Sequence, residues 1–124
     1  MAGRRRTPVF TENFIRNLDA IQSFLSPEET RHFSHLLHRL FDDIVPLLLR
    51  YPQSGRSFLS HSVRSQEGRN FIRKLKAKMK KGDDLREFVV DKYLLLYLLR
   101  EAQIIFLSIK HHRQLSFDLL RFWL

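Results

Sequence analysis

The residues best suited to chemistry lie close to the end of the chain, in the run Ile109-Lys110-His111-His112-Arg113-Gln114. Cleavage of RNA through its 2′-hydroxyl needs a group that takes the hydroxyl proton, an acid for the leaving oxygen, and cations for the charged phosphate. Histidine, tyrosine and arginine side chains can supply these three functions. The candidate catalytic residues are therefore His111, His112, Arg113, Arg86 and Tyr97, with Tyr93 beside them.

Each of these residues also has a structural interpretation. Arg86 and Arg113 can pair with nearby acidic side chains, and two tyrosines four positions apart share one face of a strand, where they can simply pack. Buried sheets usually satisfy their polar groups internally. Because side chains alternate along a strand, only one of His111 and His112 can serve a common site.

A predicted β-hairpin positions the candidates. The stretch from Val89 to Leu99 and the one from Ile104 to Ile109 are rich in β-branched and aromatic residues, and the polar run 100–103 separates them. Both stretches are too short to span a membrane. The second strand delivers the histidines to one end of the sheet. Arg86, at the start of a strand, can lie near that end, in a register that the sequence leaves open.

Two helices are predicted between an edge strand at residues 7–10 and Pro52. Thr11 caps the first, whose apolar residues Phe14, Leu18, Ile21 and Leu25 recur at helical spacing. The run Ser26-Pro27-Glu28-Glu29 begins the second helix. Its predicted buried residues are Phe33, Leu36, Leu37, Leu40, Phe41, Ile44, Leu47 and Leu48. Pro46 predicts a kink or an early end, because it cannot donate to the carbonyl of Asp42.

Composition narrows the class of protein. A chain of 124 residues with 44% hydrophobic content favours one domain over residues 1–124. The absence of cysteine excludes disulfides, zinc-thiolate sites and thiol nucleophiles, and the sequence shows no leader or membrane span, so we expect a cytoplasmic protein without cofactor. His32, His35 and His38 fan around a helix beside arginines, so no metal site is predicted.

The net charge of +9 points to an anionic partner, and most of it comes from one segment. Apolar residues at helical spacing, from Phe71 to Met79, predict a basic amphipathic helix that ends at Gly82, within an insertion at 59–83. A solvated face or a surface for an acidic partner is the alternative to nucleic-acid contact. The candidate nucleic-acid or target-binding residues are Arg69, Arg73, Lys74, Lys76, Lys78, Lys80 and Lys81.

The end of the chain is apolar. Residues 115–124 contain only two charged side chains, Asp118 and Arg121, among Leu, Phe and Trp residues. This tail either closes the core or waits for a partner.

Several of these motifs carry a family resemblance. The order Leu85-Arg86-Glu87, then Tyr93 and Tyr97, then the strand that runs into residues 109–114 resembles the C-terminal half of the RelE/ParE toxins. Upstream, Pro52-Gln53-Ser54-Gly55-Arg56 is similar to the Pro-x-x-Gly-Arg step that follows the second helix in ParE-type members. The chain thus resembles a toxin of a type II toxin–antitoxin system, of a ParE-like or plasmid-stabilisation subgroup.

The resemblance implies a fold of α+β class: an N-terminal strand and two antiparallel helices packed on an antiparallel sheet of about four strands, here with the inserted basic helix. Members usually pass from the Gly-Arg step to the next strand in a short loop, whereas about thirty residues intervene in this chain. The insertion is therefore where the family pattern gives least guidance.

The resemblance also implies growth arrest and neutralisation by a cognate acidic antitoxin. ParE-type toxins act on DNA gyrase, and RelE-type toxins cut messenger RNA on the ribosome with basic and aromatic groups. The Leu-Arg-Glu start and the His-His-Arg-Gln finish resemble ParE more closely, so gyrase inhibition is the leading hypothesis. A ribosome-dependent mRNA endonuclease is the alternative, and a non-catalytic nucleic-acid or partner-binding protein is the second alternative. The sequence leaves the oligomeric state open.

Overall fold

The computed structural model describes residues 6–25, 27–57, 73 and 76–111 of the chain. Its elements, in chain order, are β1 (Thr7–Phe10), α1 (Glu12–Phe24), a 3-10 turn (Pro27–Glu29), α2 (Thr30–His38), a π-helical turn (Arg39–Ile44), α3 (Val45–Arg50), a second 3-10 turn (Pro52–Ser54), β2 (Arg56–Ser57), β3 (Asp84–Val90), β4 (Tyr93–Arg100) and β5 (Gln103–His111).

The strands form one sheet in the order β1-β5-β4-β3-β2. β1 runs parallel to β5, and every other neighbouring pair is antiparallel. The predicted α+β class, with an N-terminal strand and helices packed on a largely antiparallel sheet, is confirmed. In the part of the chain that the structure describes, the sheet has five strands where about four were expected, because Arg56–Ser57 adds a short strand at the edge beside β3.

Two tight turns build the C-terminal half of the sheet. The predicted hairpin is β4–β5, and its turn is at Glu101 and Ala102. A second turn at Asp91 and Lys92 joins β3 to β4, so the region is a three-stranded meander. Asp91 and Glu101 lie in the left-handed region, at φ 54° and 51°, which lets the chain reverse its direction within two residues at each turn.

The core lies between the helices and one face of the sheet. The apolar stripe predicted for α1 is confirmed by the burial of Phe14, Leu18 and Ile21. The buried residues of the second helical region are Phe33, Leu36, Leu40, Ile44, Val45 and Leu48. Burial was also predicted for Phe41 and Leu47, which is wrong: they are 38% and 37% exposed, because they flank the stripe of residues spaced three and four apart.

Pro46 sits in an unbroken helical region. The predicted irregularity takes the form of the π turn, in which the N–H of Val45 bonds to the carbonyl of Leu40, and the helix continues to Arg50. A π turn is wider than an α turn, so it relieves the clash of the proline ring with the preceding turn. The helix therefore does not end early at Pro46.

α1 completes the hydrogen bonding of β5. β1 accompanies β5 only as far as Phe106, so the backbone beyond it needs other partners. The Thr11 hydroxyl donates to the carbonyl of Phe106 at 2.9 Å, and Asn13 Nδ2 donates to that of Leu107 at 3.0 Å. The Oδ1 atom of the buried Asn17 accepts from the Ile109 N–H and the Ser108 hydroxyl, both at 3.0 Å. Thr11, Asn13 and Asn17 thus supply hydrogen bonds that a neighbouring strand would otherwise make to this part of β5.

Parts of three predictions fall outside the described residues. Arg73 and residues 76–78 are helical. Residues 79–82 are described and are not helical, so the helical residues end at Lys78, before the predicted end at Gly82. Residues 71, 72, 74 and 75 lie outside the described residues, so the basic helix stays a prediction, as do the insertion at 59–83 and the domain boundaries. The apolar tail also lies outside them. Among the helices that the structure describes, none has the length and apolar character needed to cross a membrane.

Candidate functional site

Tyr97 and Arg86 lie opposite each other on β4 and β3, and both hold the segment Pro52 to Gly55. The Tyr97 hydroxyl donates to the carbonyl of Pro52 at 2.8 Å and accepts from the N–H of Gly55 at 3.0 Å. Arg86 donates from Nε to the carbonyl of Gly55 at 3.0 Å and from Nη2 to that of Gln53 at 3.3 Å. The two side chains therefore fasten the end of the helical layer to the sheet.

This arrangement gives a physical reason for the Pro-x-x-Gly-Arg step. A Cβ atom at Gly55 would meet the Glu87 carbonyl and the Tyr97 hydroxyl, so only glycine fits. The next residue, Arg56, pairs with Glu87 through Nη2 and Oε1 at 2.9 Å, and the Glu87 side chain is buried. Pro52 supplies the carbonyl that Tyr97 binds. The step is thus a docking segment for strands β3 and β4.

The Tyr97 hydroxyl is poorly placed to exchange protons with a substrate. Burial raises the pKa of Tyr97, although the hydrogen bond with Gly55 and the nearby Arg86 guanidinium act in the opposite direction. A raised pKa keeps the hydroxyl protonated at neutral pH, and its proton is directed at the Pro52 carbonyl. Both contacts are with backbone, so a catalytic role for Tyr97 stays a prediction.

His111 and Tyr93 form a second group at the far end of β5. Their rings meet edge to face, with centroids 5.4 Å apart and an interplanar angle of 86°. Tyr93 packs against the core on the helix side of the sheet, and its cross-strand partner His111 shares that side. Burial, followed by Glu29 and Asp91, raises the pKa of Tyr93. His111 therefore lies on the helix side, whereas His112 and Arg113 lie outside the described residues.

The described candidates do not share one site. Tyr93 and Tyr97 are four positions apart on β4, which separates their rows of the sheet by about 13 Å. Arg86 belongs to the row of Tyr97, and His111 to that of Tyr93. The sequence left open a register that brings Arg86 to the exit of β5, and the structure excludes it. β3 and β5 both run antiparallel to β4, so the start of β3 lies far from the end of β5.

A model of the ParE toxin of the type II toxin–antitoxin system, parDE, matches residues 9–116. The chain belongs to the ParE toxin family. The match includes α1, α2 and α3, all of β2–β5 and the docking segment 52–55. Membership makes a cognate antitoxin the partner of this toxin. A search of curated proteins gave no match.

The basic residues predicted to bind a target are accessible in this ParE-family toxin wherever the structure describes them. Arg73, Lys76, Lys78, Lys80 and Lys81 are exposed. Arg69 and Lys74 lie outside the described residues. Binding of nucleic acid or of another target by this segment stays a prediction.

The three histidines of α2 are exposed on the toxin surface. His38 Nδ1 lies 3.1 Å from Oδ2 of Asp42, one turn further along the helical region. Among residues 6–25, 27–57, 73 and 76–111, no group of three or more His, Cys, Asp or Glu side chains is arranged to hold a metal ion.

An ion pair that the sequence interpretation missed joins the insertion to β4. Arg100 donates from Nε to Oδ1 of Asp83 at 2.9 Å and from Nη2 to Oδ2 at 2.7 Å. The Asp83 side chain is only 1% exposed, and Oδ2 also accepts from the N–H of Lys80. The hydrogen bonds from Arg100 hold the pKa of Asp83 below its ordinary value of 3.8, although burial acts in the opposite direction.

Asp83 is expected to make the toxin less stable in acid. Its pKa is lower in the folded protein than in the unfolded chain, so its contribution is present above pH 3.8 and is lost as the pH falls through the folded value. We expect Asp83→Asn to lower the free energy of unfolding by about 2 kcal/mol at neutral pH and to flatten its fall in acid. Urea unfolding between about pH 7 and pH 3 measures both effects.

The exposed Asp19→Asn on α1 is the matched control, with the acid dependence of the unmodified protein expected. If Asp83→Asn keeps that same acid dependence, the ion pair contributes nothing to stability.

Proposed function

We propose that this toxin arrests growth by ParE-like inhibition of DNA gyrase and is neutralised by a cognate acidic antitoxin. The observation that supports this choice over RNA cleavage is the separation of the candidate residues. General acid–base catalysis needs its groups within hydrogen-bond reach of the same reacting atoms. Arg86 and Tyr97 hold the docking segment, and His111 lies about 13 Å away along the sheet.

The overall charge supports the antitoxin as an acidic partner. The chain carries a net charge of +9, and its described basic residues between Arg73 and Lys81 are exposed. Opposite charge steers association and suppresses wrong partners. An acidic antitoxin segment that folds on this surface would be attracted from a distance and would be sensitive to salt.

A RelE-like ribosome-dependent mRNA endonuclease is the second candidate function. The same exposed lysines favour it, because they offer a sequence-independent grip on ribosomal RNA. On that hypothesis the catalytic groups would be one of His111 and His112 together with Arg113, without Arg86 or Tyr97. A non-catalytic binding protein is the third candidate.

Gyrase inhibition is tested with purified protein and by induction of the toxin in cells. We expect the toxin to block supercoiling of relaxed plasmid by gyrase and to cause chromosomal breaks and an SOS response when it is induced. Antitoxin added in equal amount should reverse both effects. Transcripts cut within translated frames, together with intact DNA, would instead establish the endonuclease. Normal growth on induction of the folded toxin would favour the third candidate, a non-catalytic binding protein.

The end of β5 provides the residue test. We expect His112→Ala and Arg113→Ala to relieve growth arrest strongly while leaving the melting temperature unchanged. Arg31→Ala, an exposed arginine on α2, is the matched control and should remain toxic. Full toxicity of both variants, with native melting curves, would return His112 and Arg113 to a structural role.

A further inference from the structure

The sheet has a second apolar face, turned away from the helical layer. Along β4, Leu95, Tyr97 and Leu99 join the core under the helices. The alternate residues Leu94, Leu96 and Leu98 point to the other side and are only 8%, 1% and 6% exposed. Leu85 of β3, opposite Leu98, is 1% exposed. We call these four leucines and their cross-strand neighbours the second face.

The burial of the second face requires a cover. The buried residues of the helices cluster with the opposite side of the sheet, and none of the four leucines belongs to that cluster. Val89, on the same face at the β3 margin, is 60% exposed. The cover therefore lies over β4 and its neighbours and leaves the outer end of β3 open.

Two buried charged residues mark the second face. Lys110 of β5 lies opposite Leu94, and Glu87 of β3 lies opposite Leu96. Counted from the end of β5 at His111 towards its start, Lys110 comes first, in the row of Leu94, and Glu87 second, in the row of Leu96. A segment that enters from the end of β5 with an acid followed by a base would have the opposite sign to each of these residues, in addition to the Arg56 that already pairs with Glu87.

We propose that the C-terminal tail, residues 115–124, packs on the second face of its own sheet. Seven of these ten residues are apolar, against five of the fifteen in 58–72. The two charges of the tail, Asp118 and then Arg121, have signs opposite to those of Lys110 and Glu87, in the same order. The tail thus brings apolar surface and complementary charge to a face that has both.

The tail also begins in the right place and is long enough. β5 ends at His111, in the row of Tyr93 and next to that of Leu94, so residue 115 starts near the margin of the second face. From Leu94 to Leu98 the face extends about 13 Å. Ten residues span about 15 Å as a helix and more when extended. Packing of the tail would anchor His112 and Arg113 from both sides.

Trp123 is the only tryptophan of the chain and reports directly on this packing. In the full-length protein we expect blue-shifted emission, acrylamide quenching several-fold weaker than for a free indole, and nuclear Overhauser contacts from the indole ring to the methyl groups of Leu96 or Leu98. These measurements need no substitution. Quenching equal to that of a free indole, or contacts only to residues on the helix side, would overturn the proposal.

A pair of neighbouring substitutions provides a control. Leu94→Ala should shift the Trp123 emission to the red and increase its quenching, whereas Leu95→Ala, on the opposite face, should leave both unchanged in the folded protein. A milder Leu95→Met serves if the alanine variant does not fold. Equal responses of the two positions would contradict tail packing. Leucine methyl contacts from Phe58 or Leu59 in place of Trp123, or emission that depends on protein concentration, would assign the face to segment 58–72 or to a second copy.

Discussion

Replacing Gly55 by alanine is expected to lower the free energy of unfolding by about 3 kcal/mol, the upper end of the usual cost of adding atoms to a packed site. The new methyl group would meet the carbonyl of Glu87 and the hydroxyl of Tyr97. The Glu87 carbonyl is part of the backbone of β3 and cannot swing away. Gly55 itself has an ordinary φ of −78°, so conformational strain is not the cause. Chemical denaturation with urea measures the loss.

Gly82→Ala is the informative control, because Gly82 has open space for a Cβ atom but a strained backbone conformation, whereas Gly55 has an ordinary conformation and no space. A Cβ atom at Gly82 meets nothing within 4 Å, but φ is +89°, so we expect a cost of about 1 kcal/mol from the backbone alone. Adding Tyr97→Phe to Gly55→Ala should cost less than the sum of the single changes, because one of the two clashing atoms is gone. If Gly55→Ala costs no more than Gly82→Ala, the close packing of the docking segment is not a significant constraint.

Replacing Asn17 by alanine is expected to cost about 2 to 3 kcal/mol. Its Oδ1 atom accepts from the backbone N–H of Ile109 and from the Ser108 hydroxyl, and Asn17 is only 2% exposed. The hydroxyl can rotate to another acceptor, but the N–H of Ile109 would stay buried without one. A thermal melt and the amide hydrogen exchange rate of Ile109 measure the effect.

Asn13→Ala is the matched control on the same helix. Asn13 donates to the carbonyl of Leu107, which also accepts from the Thr11 hydroxyl at 3.3 Å and therefore keeps a partner. We expect a cost below about 1 kcal/mol and an unchanged exchange rate for Ile109. Similar losses at the two positions would show that Asn17 does not complete the edge of β5.

Features encoded by neighbouring residues were predictable from the sequence. The Thr11 cap, the stripe of α1 and the turn between β4 and β5 all follow from local spacing and residue type, and the structure has each of them. The turn at Asp91 and Lys92 was missed because only two polar residues interrupt the apolar run there, against four at 100–103 if the helix former Ala102 is counted with its polar neighbours. Local signals therefore gave the elements but not every boundary between them.

Features that depend on distant residues were not predictable in the same way. Asn17 has the appearance of a solvent-facing helix residue, and its bond to Ile109 joins positions 92 residues apart. The separation of Arg86 from His111 depends on the relative directions of β3, β4 and β5. The turn at Asp91 and Lys92 reverses the chain between β3 and β4, so Arg86 lies at the end of the sheet opposite to His111. The grip of Tyr97 on Pro52 likewise depends on tertiary packing across 45 residues. Residue types that are suited to the same chemistry therefore did not lie in the same site.

The position of β5 also sets the order in which this toxin can assemble. β1 and α1 come first among the described elements, yet they bind β5, the last of the described strands. The bond from Thr11 to Phe106 joins positions 95 residues apart, so local helices can form early but the sheet cannot close before β5 is made. A nascent chain thus cannot complete this sheet until β5 has been synthesised, which leaves an antitoxin time to meet the toxin during translation.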